Sequence, residues 1–217
     1  MDEIWGFAGK KDCNVRMGGS TEVGSVWAFC ANDAETRLGS SFRAGHRDLT
    51  TTELVRDVAS RKRDRVQIST DAIRSYAEAV EMMFGADVDY AQAVKIYRYE
   101  KTTPNHRYSP SKVVSGEEKI TVCRRVPSLI STGCVGRLNA TARTHMRRLT
   151  RLTLAFGKKL ENFEAAVWLH FACYNFVSRH NTLRRTPGMA AGVTGTQWSI
   201  ADLAEASAWA ISAISET

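Results

Sequence analysis

No stretch of the chain approaches the roughly 18–20 consecutive apolar residues that a membrane-spanning helix needs, and the first residues hold no charged-then-apolar leader. The expectation is a cytoplasmic protein without a membrane partner. Cysteine is equally uninformative as a scaffold: Cys13, Cys30, Cys123, Cys134 and Cys173 are odd in number and form no C-x-x-C pair. That argues against a disulfide framework and a zinc ribbon, and the thiols read as reduced. The absence with most to say is of one charge sign. Between Ser131 and Leu160 there is no Asp or Glu, against Arg137, Arg143, Arg147, Arg148, Arg151, Lys158 and Lys159.

The same stretch carries Val135, Leu138, Ala142, Met146, Leu149, Leu152, Phe156 and Leu160 at steps of three and four, the spacing of one stripe along a helix. It predicts one long helix from Ser131 to Leu160, with Arg137, Arg148 and Arg151 sharing a face. A solvated helix normally intersperses acids among its bases, so a one-sign surface points to a polyanion, nucleic acid, lying against it. A merely solvated basic face is the other reading. The net charge of +7 and a pI of about 9.3 agree with either.

A length of 217 residues, 43% hydrophobic and 24% charged, predicts one main globular domain. Residues 1–9 alternate as a strand, Lys10 to Gly24 reads as a loop, and Ser25 to Ala31 and Arg37 to Ala44 read as strands around a turn at Asn32 to Thr36. Three consecutive strands with short connections make an antiparallel meander. A helix then starts from an N-cap within Asp48 to Glu53 and closes on the charge cluster Arg61 to Arg65. Val66 to Asp71 is a short β-rich run ending on a carboxylate, and Ala72 to Phe84 is helical. Two readings of Asp71 stand: the N-cap of that helix, or a site residue delivered to the strand's carboxyl edge, where sites gather in sheets covered by helices.

Ala86 to Tyr97 reads as a short strand or irregular piece with a helical turn, and Lys101 to Val126 as a long connection with a β-hairpin near Lys119 to Cys123. Glu161 to His180 is an apolar core helix carrying Phe163, Val167, Trp168, Phe171, Tyr174 and Val177. Asn181 to Pro187 is a turn, and Ser199 to Ser215 a last helix suited to packing or partner contact.

This order is the layout of a ribonuclease H-like α/β fold. It also brings together motifs that are weak singly but ordered jointly: Asp2-Glu3-Ile4-Trp5, Val26-Trp27, Arg65-Val66-Gln67, Thr70-Asp71, Phe84-Gly85-Ala86-Asp87-Val88-Asp89-Tyr90, Arg107-Tyr108-Ser109-Pro110, Arg147-Arg148-Leu149-Thr150-Arg151-Leu152, Lys158-Lys159-Leu160-Glu161-Asn162, and Tyr174-Asn175 with His180, Leu183 and Thr186-Pro187. Along nearly its whole length the chain resembles transposases of the bacterial insertion-sequence IS-one family.

The resemblance implies a ribonuclease H-like catalytic domain over residues 1–180, a helical tail over 181–217, and an Asp-Asp-Glu triad holding Mg²⁺ or Mn²⁺. Asp2 and Asp71 would be the two aspartates. DNA, as transposon ends and target, would be the partner, with a homo-oligomer possible and a place at the bacterial nucleoid. Arg137, Arg143, Arg147, Arg148, Arg151, Lys158 and Lys159 would meet its phosphates.

The sequence departs from the family where it matters most. Gly136 stands at the position of the catalytic glutamate, Ala72 replaces a glycine after Asp71, and Arg179 falls one residue late. The DNA-reading segment expected upstream is not in this sequence. The expectation is an impaired copy, or a DNA-binding or multimerising remnant. Asp33 has two readings, turn residue or substitute ligand; His180 likewise supports the active-site helices or simply packs.

Overall fold

Alternation builds the first sheet. Strand β1 (Asp2–Ala8) runs antiparallel to β2 (Gly24–Asn32), from Asp2 opposite Cys30 to Ala8 opposite Gly24. Strand β3 (Gly39–Gly45) pairs antiparallel with β2 on its other side, with an irregularity at Ala31 and Asn32. The turn between β2 and β3 is held by Asp33, whose Oδ2 accepts the Thr36 amide at 2.8 Å, so Asp33 is a turn residue. This computed structural model describes residues 1–15, 22–97, 113–120, 133–150 and 154–215.

A second sheet follows. Strand β4 (Val66–Asp71) pairs in parallel with β5 (Val88–Tyr97), which pairs antiparallel with β6 (Val113–Ile120). The two sheets touch where the Met1 ammonium donates to the Ser69 carbonyl at 2.6 Å, which sets the start of β1 beside the end of β4. Of the two readings of 86–97 the strand holds, over Val88–Tyr97, and longer than expected. The hairpin partner is residues 113–120, upstream of the expected Lys119 to Cys123. Residues 98–112 and 121–132, with the Arg107-Tyr108-Ser109-Pro110 motif and Cys123, lie outside the described residues.

Helices cover both faces of the meander. On one face α1 (Arg47–Arg61) and α2 (Arg74–Phe84) bury Leu54, Val55, Tyr76, Val80 and Phe84 against Phe29, Ile68, Val88 and Tyr90. On the other, α3 (Gly133–His145) and α4 (Leu160–Ala172) bury Val135, Leu138, Ala142, Phe163, Val167 and Phe171 against Ile4, Val26, Ala28 and Cys30. Two-sided burial explains why β2 reads as a nearly unbroken apolar run. At Gly6 the Phe163 ring lies 3.0 Å from where a Cβ would stand, so glycine lets this helix settle on β1. The protein is therefore mixed α/β, with a three-stranded antiparallel sheet and packed helices. No helix among the described residues is long and apolar enough to cross a membrane.

The long basic helix is not there. Helix α3 ends at His145, Met146 is extended, Arg147–Leu149 forms one 3-10 turn, and α4 starts only at Leu160. The apolar stripe is buried as far as Leu149, Leu152 lies outside the described residues, and Phe156 and Leu160 are half-buried outside that helix. Long-range pairing wins over helical spacing here. Gly157 bridges in parallel to Ala8, its carbonyl accepts the Gly9 amide at 2.8 Å, and Phe156 stacks on Phe7 at 4.7 Å. Glycine and Thr150 are weak helix formers, so little propensity opposes that choice. Arg137 and Arg148 consequently do not share one helix face, and Arg151 lies outside the described residues.

Smaller differences concern ends. Helix α1 has its N-cap at His46, just before the expected stretch Asp48 to Glu53, and α2 begins at Arg74 with Ile73 as N-cap. Helix α4 passes into a π-turn, Cys173–Val177, and stops short of His180. That turn aims Asn175 at Gly39, where its side-chain amide donates to the carbonyl at 3.0 Å and accepts from the amide at 2.9 Å. Trp168 is 47% exposed rather than core, set edge-on against Phe42 with Arg43 over its ring. After α5 (Pro187–Ala190), the last helix, α6 (Ile200–Ser215), opens on a reciprocal cap between Ser199 and Asp202.

Asp57 ties α1 to β3. It accepts from Ser41 Oγ at 2.6 Å and Arg61 Nε at 2.8 Å, and pairs with Arg43 at 3.2 Å. Burial pushes its carboxyl up, but the Arg61 and Ser41 hydrogen bonds and the Arg43 charge outweigh it, so its pKa falls below the ordinary value. Asp57→Ala is expected to cost about 1–2 kcal/mol. A lowered folded pKa means that this contribution is present above about pH 4 and fades as pH falls through the folded value. Urea midpoints at pH 7 and pH 3 check it: the variant and the unaltered chain should converge at the lower pH.

Candidate active site

The start of β1 and the end of β4 bring three carboxylates together. Asp2, Glu3 and Asp71 each offer an oxygen, all within 4.8 Å of one another. Sequence reasoning selected Asp2 and Asp71; their convergence follows from the Met1–Ser69 contact between the strands. Asp71 is not the N-cap of α2, a place held by Ile73.

Each carboxylate is held differently. Asp2 Oδ1 accepts the Glu3 amide at 2.9 Å and Oδ2 accepts Asn139 Nδ2 at 2.8 Å, while Asn139 Oδ1 accepts Cys30 Sγ at 3.1 Å. Glu3 Oε1 is paired with Arg47 Nη2 at 2.7 Å. Asp71 Oδ1 is buried without a hydrogen-bond partner among the described residues, while the buried Glu3 Oε2 and Tyr76 hydroxyl lie close enough for the phenol to oppose the rise in the Glu3 pKa. Buried oxygens left so exposed to one another are expensive.

The electrostatics carry the same message. Burial, then the Glu3 and Asp2 charges, raise the Asp71 carboxyl to about 7. Burial likewise raises Glu3, although Arg47 opposes it. Tyr76, fully buried and acted on by the Glu3 charge, is pushed well above the usual phenol value. Burial lowers the pKa of the Met1 ammonium beside the cluster. Cys30 is raised by burial to about 12, so it is an inert packing thiol.

Gly136 is separate from the cluster. It is exposed on α3, and nothing lies within 4 Å of where its Cβ would stand. It precedes Asn139 by three residues, roughly one turn at about 1.5 Å per residue, so a side chain there would rise one turn from the residue that touches Asp2. Asp33 is bound in its turn, and Glu161 pairs with Lys159 at 3.2 Å. Neither belongs to the cluster.

Glu3, Asn139 and Tyr76 were not singled out as site residues from sequence. Asn139 had a signal, its helical spacing from Gly136. Glu3 had a weak one, an acidic pair at a strand start; Tyr76 had none, since it reads as a core position of α2.

The basic residues spread over several elements. Arg137 and Arg143 are exposed on α3, and Arg147 is exposed on the 3-10 turn. Arg148 donates to the Asn162 carbonyl, and the Lys158 ammonium sits 3.4 Å over the Phe156 ring. Arg147, Arg148 and Lys158 line a shared groove with His145, Phe156 and Ala166. Comparison with models of protein families, with curated proteins and with solved structures finds no match for this chain.

Proposed function

We propose that this chain is a ribonuclease H-like catalytic domain of a DDE-type insertion-sequence transposase, disarmed at its third carboxylate. The observation that carries the reading is the meeting of Asp2 and Asp71, from the first and fourth strands, within 4.8 Å. Ribonuclease H-like nucleases and transposases gather their acids from those strands and a late helix, and α3 with Gly136 has the position of that helix. The order of elements, a meander followed by a helix and a strand whose end meets the start of the first strand, supports the same fold.

The donor set fits a hard divalent cation such as Mg²⁺ or Mn²⁺: carboxylate oxygens, with the buried Asp71 Oδ1 left without a hydrogen-bond partner among the described residues. Asp2 and Asp71 would hold it, with Glu3 beside them. When bound, such an ion supplies Lewis-acid stabilisation of the attacking and leaving oxygens in phosphodiester hydrolysis and in strand transfer to target DNA. The chain's own residues prepare the place. Asn139 fixes the Asp2 rotamer, Arg47 neutralises part of Glu3, and the wall behind is the buried ring of Tyr76. Arg137, Arg143, Arg147, Arg148 and Lys158 have no carboxylate partner among the described residues and suit DNA phosphates, with Lys159 and Arg151 adding charge nearby in sequence.

A second reading, a DNA-binding or multimerising remnant without turnover, is favoured by Gly136 itself. Nicking of supercoiled plasmid in Mn²⁺ separates the two. The unaltered chain is expected to leave the plasmid intact while binding duplex DNA with steep salt dependence. Gly136→Glu is expected to nick it, and Gly136→Glu with Asp71→Ala to lose that activity. Nicking by the unaltered chain would point to Glu3 as the third acid. Silence from all three proteins would leave the remnant.

A further inference from the structure

Charge pairing divides the molecule. Arg43 and Arg61 meet Asp57, Arg47 meets Glu3, Lys62 meets Asp87, Arg65 meets Asp89 and Arg74 meets Glu78. Arg37 and Arg137 have no carboxylate at ion-pair distance among the described residues. The residues leading into α3, 121–132, contain no Asp or Glu.

These two arginines line one cavity of about 120 Å³, formed by the β2–β3 turn, α3 and the turn after Val177, together with Thr141, His180 and Thr182. His180 Nδ1 is buried and has no hydrogen-bond partner among the described residues. Its backbone accepts from Arg184 at 2.8 Å and donates to Arg185 at 3.0 Å. Burial and then the Arg37 and Arg137 charges lower its pKa.

Arg37 is held against backbone preference. Its φ is 63°, in the left-handed region where glycine is at ease and a residue with a Cβ is not. The Asp33 carbonyl accepts its amide at 3.1 Å, completing the turn, and its guanidinium donates to Cys134 Sγ on α3. Arginine in a glycine position, turned toward an unpaired arginine and a histidine, suggests that the side chain is what the turn is there to present.

We propose that this cavity is a binding site for a phosphate group, clamped by Arg37 and Arg137, with His180 Nδ1 and the Thr141 and Thr182 hydroxyls completing its contacts. Guanidinium forks match paired phosphate oxygens, and two of them around a small half-buried cavity select a tetrahedral oxyanion over a carboxylate surface. The phosphate is either a diester in a DNA backbone or a free phosphate or nucleotide. The site uses none of Asp2, Glu3 and Asp71, so it stands or falls apart from the cleavage reading.

The test follows the His180 imidazole resonances of the full chain by NMR during titration with inorganic phosphate and, separately, with a short duplex oligonucleotide. Inorganic phosphate is expected to shift them, with affinity reduced about tenfold or more in Arg37→Gly and in Arg137→Gln. Arg37→Gly removes the guanidinium while relieving the backbone, so it should melt at the same or a higher temperature than the unaltered chain. Displacement of phosphate by the duplex assigns the site to DNA; phosphate shifts indifferent to the duplex assign it to a free phosphate or nucleotide. The proposal is overturned by His180 resonances that move with neither ligand. Unchanged phosphate affinity in Arg37→Gly overturns it equally, and a lowered melting temperature alongside would make Arg37 a structural residue.

Discussion

In EDTA at pH 7, Asp71→Asn is expected to melt above the unaltered chain, and Mn²⁺ is expected to raise the melting temperature of the unaltered chain but not of the variant. Asp71 faces Glu3 and Asp2 within 4.8 Å, and among the described residues the Met1 ammonium and the Arg47 guanidinium oppose their charge. A carboxyl raised to about 7 is destabilising when ionised in the folded state. The sign follows from linkage: the penalty is absent below the unfolded pKa near 4, grows as pH rises, and is complete above about 7.

Allowing for its partly exposed position, the relief is on the order of 2 kcal/mol, or ~5 °C for a chain of this size. A cation that binds the folded cluster adds stability by mass action, and losing one carboxylate should remove that gain. A lower melting temperature for Asp71→Asn in EDTA would mean that Asp71 is a structural acceptor, and an equal Mn²⁺ response in both proteins would exclude it as a ligand.

The second large effect lies in the opposite core. His170 is only 9% exposed, its Nε2 is buried without a partner among the described residues, and it packs edge-on against Phe171 at 5.3 Å. Burial, helped by the neighbouring His145, lowers its pKa to about 4. The unfolded chain takes up that proton near pH 6.5 and the folded chain only near 4, so stability is full above about 6.5 and declines between those values. The loss is on the order of 3 kcal/mol. His170→Phe keeps the aromatic packing and should flatten this limb, so urea midpoints at pH 7 and pH 4.5 should fall less than in the unaltered chain. Asp71 and Glu3 pull the other way in the same window, which is why the comparison between the two proteins is the informative one. Identical falls would rule out His170 as the cause.

The strands were legible because alternation is local. Val66 to Asp71 could be read as a run ending on an acid, and β4 has those bounds. The meander could be read from its short turns. What failed was the continuation of α3, because apolar spacing persists through Phe156 while the decisive contact, Gly157 with Ala8, joins residues distant in sequence. The third carboxylate of the cluster failed for another reason. Glu3 follows Asp2 directly, and strand pleating would send neighbours to opposite faces, yet at the very start of β1 both reach Asp71. Asn139 and Tyr76 carry no chemistry in isolation and acquire it from where Asp2 and Glu3 end up.

The Asn175 amide makes to Gly39 the two bonds that a neighbouring strand would make. A helix therefore supplies the outer rim of β3 with one residue's worth of false strand. Any second chain seeking to lengthen the meander from that rim must first displace a side chain locked by its π-turn. The Tyr174-Asn175 motif thus guards that point of the β3 rim against pairing with another strand.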